Sequence, residues 1–311
     1  MSARLEQALA DYLATRRALG FKLDRAQKLI AQFIAYLDER GTEQVTIEDA
    51  LAWAVLPADA DPWWWALRLS AVRAFAAWLH TLDDTVQVPP PGLIRCGPRR
   101  ATPYLYSDAD IVALVDAAGA LPRPLSAITY QTLIGLLAVT GMRVGEAIGL
   151  DRDDFDADHG GMATVREAKF AKTRQVPLHP STVSALSGYL QARDHLLPAP
   201  TSTALLISTT GTRLSYNAVW RTVHQLITRT GLGARTPSCQ PRIHDLRHSF
   251  AVATLRDWYA NGADVHALLP VLSTYLGHAD PKHTYWYLSA APELLALAGR
   301  RLEPANHASS R

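Results

Sequence analysis

The chain has 311 residues, 48% of them hydrophobic and 19% charged, with a formal net charge of +2. That composition excludes a disordered or collagen-like chain and supplies enough apolar surface for a buried core, at a length that usually holds two domains. The near-neutral charge neither demands nor excludes a nucleic-acid partner, because local patches bind phosphate without a large global charge.

The opening segment, MSARLEQALADYL, is amphipathic and carries Glu6 and Asp11, unlike the continuous apolar core of a secretory signal. Leu5, Ala8, Leu9, Tyr12 and Leu13 recur at helical spacing. After a break at Gly20, so do Leu29, Ile30, Phe33, Ile34 and Leu37, until Gly41. Thr46 and Asp49 form a capping pair that opens a third helix, and WALRLSAVRAFAAWLHTL forms a fourth. The pattern predicts a small helical bundle over residues 1–88. The following stretch, VQVPPPGLIRCGPRRATP, is rich in proline, glycine and basic residues and lacks apolar periodicity. It reads as an extended linker over 89–103, either beside the phosphates of a bound nucleic acid or an ordinary solvated connector. The two cysteines, Cys96 and Cys239, form no CxxC pair, which argues against a disulfide framework and fits a reducing cytosol.

From Tyr104 the pattern changes. Ser107 caps a helix, and an uncharged helix then runs to Thr140 and ends at Gly141. The charge-free stretch Pro124 to Met142 raises the question of a membrane span, but its threonines, Gln131, glycines and proline dilute it. It reads as a helix buried at the centre of a soluble domain. A short helix begins near Val144. ATVREA and RQVPLH alternate as strands joined by KFAKT, giving a small antiparallel sheet in a mainly α domain. Four more helices follow, and Asp280 with Pro281 opens another that contains Tyr287. This second domain is expected over 104–303, with a tail at 304–311. Within it, PELLALAGRRL predicts a last short helix whose apolar face, Leu294, Leu295, Leu297 and Ala298, must pack on its own domain or on a neighbour.

Separated basic residues stand out along the second domain. Arg143 lies in TGMRVGEAIGL, Lys169 in KFAKTRQVPL, His244 and Arg247 in HDLRHSF, and His278 in LGHAD; Tyr287 follows nine residues later in TYWYLS. Arginine suits the non-bridging oxygens of a phosphodiester, because its planar fork donates two parallel hydrogen bonds and stays charged. Glu146 reads as a structural brace rather than a chemical group. His244, Arg247 and His248 share one face of a helix, and a histidine there can accept or donate a proton near neutral pH. The same HDLRH phrase is half of a zinc-hydrolase helix motif, with Asp245 where that motif has glutamate, and His278, Asp280 and His283 as recruits. A lysine at a hairpin tip reaches a phosphate or protonates a leaving oxygen, and the pattern alone does not choose between Lys169 and Lys172. Tyr285 and Tyr287 lie about 200° apart on a helix, so one of them faces a given site. A phenol titrates near pH ~10 and needs cationic neighbours to attack at neutral pH.

These phrases, in this order, resemble the tyrosine recombinase (phage integrase) family across residues 104–290. The resemblance assigns six catalytic positions: Arg143, Lys169, His244, Arg247, His278 and the nucleophile Tyr287. It picks Lys169 as the first lysine of a K-x-x-K-x-R-x-V-P phrase, and it leaves Tyr285 and Trp286 to core packing. It implies a site-specific DNA recombinase, borne by a mobile element, that cuts and rejoins duplex DNA through a 3′-phosphotyrosyl link. It also implies no metal, no other cofactor and no ATP; a helical core-binding lobe at residues 1–88; and a homo-tetramer on DNA, or a hetero-oligomer with related recombinases, in the cytoplasm. The C-terminal helix would dock in trans on a neighbouring protomer. A non-catalytic DNA-binding partner subunit and a type IB topoisomerase-like enzyme are the alternatives.

Overall fold

The computed structural model describes residues 3–96, 102–168, 172–278, 280 and 282–290. The chain divides into two compact units, Met1–Arg100 and Ala101–Arg311.

The first unit is a bundle of α1 (Ala3–Ala18), α2 (Asp24–Glu39), α3 (Ile47–Val55) and α4 (Pro62–His80). Its core is aromatic and aliphatic: Phe33 meets Trp53 edge-on, Tyr12 meets Phe75 likewise, and both phenylalanines are fully buried. Thr46 caps α3 as its sequence suggests, its hydroxyl accepting from the Asp49 amide. Arg68 is buried beneath Trp53, with its guanidinium 3.8 Å from the ring centroid and Nη2 donating to the Trp53 carbonyl at 2.7 Å. Part of the segment expected to be an extended connector is fastened to this bundle. Val86 is buried, the Gln87 side chain accepts from the Ile47 amide, and Arg73 donates to the Pro89 and Pro90 carbonyls. Prolines offer carbonyls without amides, so an arginine on α4 satisfies acceptors that have no strand to join.

The second unit is mainly α with one small antiparallel sheet. Its helices are α5 (Asp108–Gly119), α6 (Pro124–Thr140), α7 (Val144–Gly149), α8 (Pro180–Leu196), α9 (Tyr216–Arg229), α10 (Asp245–Ala260), α11 (Val265–Leu276) and α12 (Lys282–Ala290). The strands β1 (Phe155–Asp156), β2 (Met162–Ala168) and β3 (Lys172–Pro177) run antiparallel in that order. The uncharged α6 is the central helix, packed against α5, α8 and α10, with Leu133, Ile134, Leu136 and Leu137 buried. Among the described residues no helix is long and apolar enough to cross a membrane. The strand period sets one side chain that matters later. Val165 pairs with Arg174 and Ala163 with Val176, so Arg174 shares the inward face of β3 with Val176, while Thr173 and Gln175 face out. Lys169 falls between β2 and β3, and the expected tail helix falls within 291–311; both lie outside the described residues.

Candidate active site

α6 ends at Gly141 in a left-handed turn of φ 59°, where a Cβ would lie 2.5 Å from the Phe250 ring. Only glycine fits that turn, and it delivers Arg143 to the mouth of α7. There Glu146 braces the turn, accepting from the Arg143 amide at 2.9 Å and from Arg143 Nη1 at 2.7 Å. Arg174 reaches the same carboxylate from β3 with both terminal nitrogens, at 3.0 and 2.9 Å. Burial alone would raise the Glu146 carboxyl; the hydrogen bonds from Arg174 and from the Arg143 amide outweigh it and hold it at about 2.

Three arginines from three elements converge on the C-terminal end of α11. Arg174 Nε donates to the Tyr275 carbonyl at 2.9 Å, Arg247 Nη2 to Leu276 at 2.6 Å, and Arg143 Nη2 to Gly277 at 3.1 Å. Arg247 Nη1 also donates to the Gly141 carbonyl at 2.8 Å. These are the carbonyls a helix leaves without intrahelical donors, at the negative end of its dipole, so the cations are fixed where the fold favours them. The helix therefore orients guanidinium groups that would otherwise repel one another. Burial, then the like charge of Arg143, pull Arg247 down to about 10, which leaves it charged at neutral pH.

His244 stands at the head of α10 and meets His248 edge-on at 5.1 Å. Burial first, then Arg247 and Arg143, push His244 down to about 4, so it is neutral around pH 7 rather than poised to titrate there. His248 is pushed further, to about 3, by burial and the nearby cationic groups. Asp245 is fully buried and accepts from Arg242 at 3.0 and 3.1 Å. That engagement gives the Asp245 carboxylate a structural partner and leaves the zinc-hydrolase reading of HDLRH without its acid. Among the described residues no three metal-ligating side chains gather.

Asp280 opens α12 by accepting from the Lys282 amide at 2.9 Å. His278 Nδ1 meets the hydroxyl of Thr284, one turn before Tyr287, at 2.7 Å. Tyr287 is 2% exposed and packs with Ala251, Leu255 and Leu276. Its ring stacks 6.1 Å from His278 and tilts against His248 at 5.5 Å and Trp286 at 5.6 Å. Burial raises its phenol above the ordinary value, against the pull of Arg247 and Arg143. Cationic neighbours alone would give the opposite net direction, so desolvation outweighs them. Tyr285 is 48% exposed and not packed in the core, contrary to the expectation for it. Trp286 is half-buried against His248 at 5.3 Å, in keeping with packing.

Five of the six expected positions, Arg143, His244, Arg247, His278 and Tyr287, thus surround the α10–α11–α12 junction. Arg174 joins them, and only its place in the KFAKTRQVPL phrase hinted at it. Comparison with known proteins shows the family to which the chain belongs. Residues 106–293 match the model of the phage integrase family. The chain belongs to that family, the tyrosine recombinases. A putative integrase/recombinase y4rB of Sinorhizobium fredii is 44% identical over 306 residues, 96% of each chain. Tyrosine recombinase XerD of Mycobacterium tuberculosis is 31% identical over 304 residues, 90% of this chain and 91% of its own. Among solved structures, XerH bound to a palindromic difH substrate in a post-cleavage complex aligns with TM-score 0.65 at 18% identity, covering 97% of this chain and 85% of its own. A lambda integrase tetramer bound to a Holliday junction aligns with TM-score 0.57 at 19% identity, covering 91% and 76%. These structures share the tyrosine recombinase fold. The topoisomerase and zinc-hydrolase readings find no support in these comparisons.

Proposed function

We propose that this site-specific DNA recombinase cuts with Tyr287 as its nucleophile and Arg143 and Arg247 as its phosphate clamp. The observation that carries the reading is the placement of the buried Tyr287 hydroxyl against Arg247, within the field of Arg143. The scissile phosphate would receive N–H groups from both guanidiniums, which stabilise the charge that develops as the phenol attacks. The Tyr287 oxygen bonds to phosphorus, the bond to the 5′ oxygen breaks, and a 3′-phosphotyrosyl link forms. Neutral His244 is in the state that accepts the phenolic proton, and Lys169 supplies the proton that leaves with the 5′ oxygen. His278 fixes the start of α12 through Thr284. In the second step a 5′ hydroxyl from the partner strand attacks the link and releases Tyr287. The covalent link retains the energy of the broken bond, so neither ATP nor metal enters the scheme.

The substrate is double-stranded DNA carrying paired recombination sites, and the helical bundle at residues 1–88 is the core-binding lobe. The working assembly is a tetramer in the cytoplasm, joined by the segment around Leu294 and Leu297 docking in trans; a related recombinase would supply half of it in a hetero-oligomer. The proposal is tested by incubating the full chain with nicked duplexes that carry the flanking DNA of its own mobile element. A denaturation-resistant adduct between the protein and the 3′ end of the cut strand is expected. DNA binding without any adduct would overturn the catalytic reading and favour a non-catalytic partner subunit.

A further inference from the structure

Glu146 poses a problem for a site that holds an anion. Its carboxylate would repel the scissile phosphate, and it would compete with that phosphate for Arg143. Yet each oxygen of Glu146 is held by a different terminal nitrogen of Arg174, at 3.0 and 2.9 Å, and Oε1 also takes Arg143 Nη1 at 2.7 Å. The third nitrogen of Arg174 is committed to the Tyr275 carbonyl. Arg174 is 13% exposed at its side chain, against 30% for Arg143. Of the two arginines that hold Glu146, Arg143 is thus the more open to a ligand and Arg174 the more enclosed. Among the described residues, the groups that act on Glu146 or feel its charge include Arg143 on its own element, Arg174 on β3, and Arg247 and His244 on α10.

We propose that Arg174 is a positioning residue that neutralises Glu146 and ties the β2–β3 hairpin to the α11 carbonyls, so that Arg143 stays available to the scissile phosphate. This rests on the reading of Arg143 as part of the phosphate clamp. Two further features bear on it. Gly277 lies so close that a Cβ there would sit 2.8 Å from Arg174 Nη1, so the residue before His278 leaves room for this guanidinium. Arg174 is also on the strand that leads out of the segment containing Lys169, so one side chain couples the hairpin, the clamp and the α11 end. Lysine cannot replace it, because a single ammonium does not span a carboxylate fork and a carbonyl at once.

The test is single-turnover adduct formation on a nicked duplex by the full chain, in four proteins: wild type, Arg174→Ala, Glu146→Gln and the double variant. Arg174→Ala is expected to slow adduct formation about 10- to 100-fold, the scale of losing an outer orienting partner. Glu146→Gln is expected to slow the wild type but to speed the Arg174→Ala protein, because glutamine keeps the cap on the Arg143 amide and removes the orphaned charge. That reversal of sign is not expected of a residue that merely holds the hairpin together. If Glu146→Gln slows both backgrounds alike, the proposal is overturned. Should Arg174→Ala fail to fold by thermal melting, Arg174→Lys is compared directly with wild type for its rate. It is expected to melt near the wild type and still lose about 10-fold; a wild-type rate in Arg174→Lys overturns the bridge. A wild type that forms no adduct would instead refute the clamp reading itself, so the two failures are distinguishable.

Discussion

Arg247 lies against the hydroxyl of Tyr287, and each steadies the charged form of the other. Burial raises the phenol and lowers the guanidinium, while their mutual attraction works against both shifts. Before DNA arrives the tyrosine is therefore a protonated phenol held in an apolar pocket, facing cations that are anchored on the end of α11.

The clamp and the general acid are separable by the leaving group. Arg143→Ala or Arg247→Ala is expected to slow cleavage by at least about 10²-fold, the scale of losing one preorganised oxyanion donor. Lys169→Ala should slow it comparably, but a substrate with a better 5′ leaving group should restore the lysine variant and not the arginine variants. Equal restoration of all three would remove the acid role from Lys169. Cleavage should also persist unchanged in EDTA, since the charge is met by arginines.

Much of this was legible in the sequence, and the limit was physical. Helices and strands are periodic, so α6, the β2–β3 hairpin and the caps at Thr46 and Ser107 follow from local pattern. The Arg143, Arg247 and Tyr287 positions came from a resemblance, because nothing in their spacing shows that they meet. The pairing of Arg174 with Glu146 joins residues 28 positions apart, and the three arginines on the Tyr275, Leu276 and Gly277 carbonyls come from three elements. Such contacts depend on tertiary packing and leave no periodic trace. The exposure of Tyr285 was missed for a similar reason: three successive aromatic residues look like core until one face of α12 is shown to be solvated.

Gly277→Ala probes that packing. The residue sits at φ 66°, and an added Cβ would press on Arg174. The left-handed backbone costs alanine about 1 kcal/mol, a fall in melting temperature of only a few degrees. Displacement of Arg174 should cost about 10-fold in the cleavage rate. A melting change with full activity would show that the arrangement tolerates a shifted Arg174.

Acid should weaken the second unit through its two buried histidines. His244 and His248 fall from 6.5 to about 4 and about 3 on folding. The unfolded chain therefore binds protons that the native one refuses, so their contribution is full above pH ~6.5 and is lost as pH falls toward the folded values. Glu146, lowered from 4.5 to about 2, loses its contribution in a lower window. Melting temperature is expected to drop on the order of 5–10 °C between pH 7 and 5. His248→Asn should flatten that slope, and an unchanged slope would exclude His248 as its source.

The tail gives an assembly test. Leu294→Asp with Leu297→Asp should weaken complex formation on paired sites while single-site binding survives, if the segment docks on a neighbour. Gel-shift titration on one-site and two-site DNA reads both. Unfolding of the free protein, or unchanged assembly, would favour docking on its own domain or no role.

The central claim is that Tyr287 forms the bond to DNA. The most direct measurement is adduct formation on a nicked duplex by wild type, Tyr287→Phe and Tyr285→Phe, with the adduct digested and its modified peptide sequenced by mass spectrometry. The expected result is phosphate on Tyr287, no adduct from Tyr287→Phe despite near-normal DNA binding, and an adduct from Tyr285→Phe. An adduct from Tyr287→Phe as abundant as from wild type, or a modified peptide in which Tyr285 carries the phosphate, would contradict the claim.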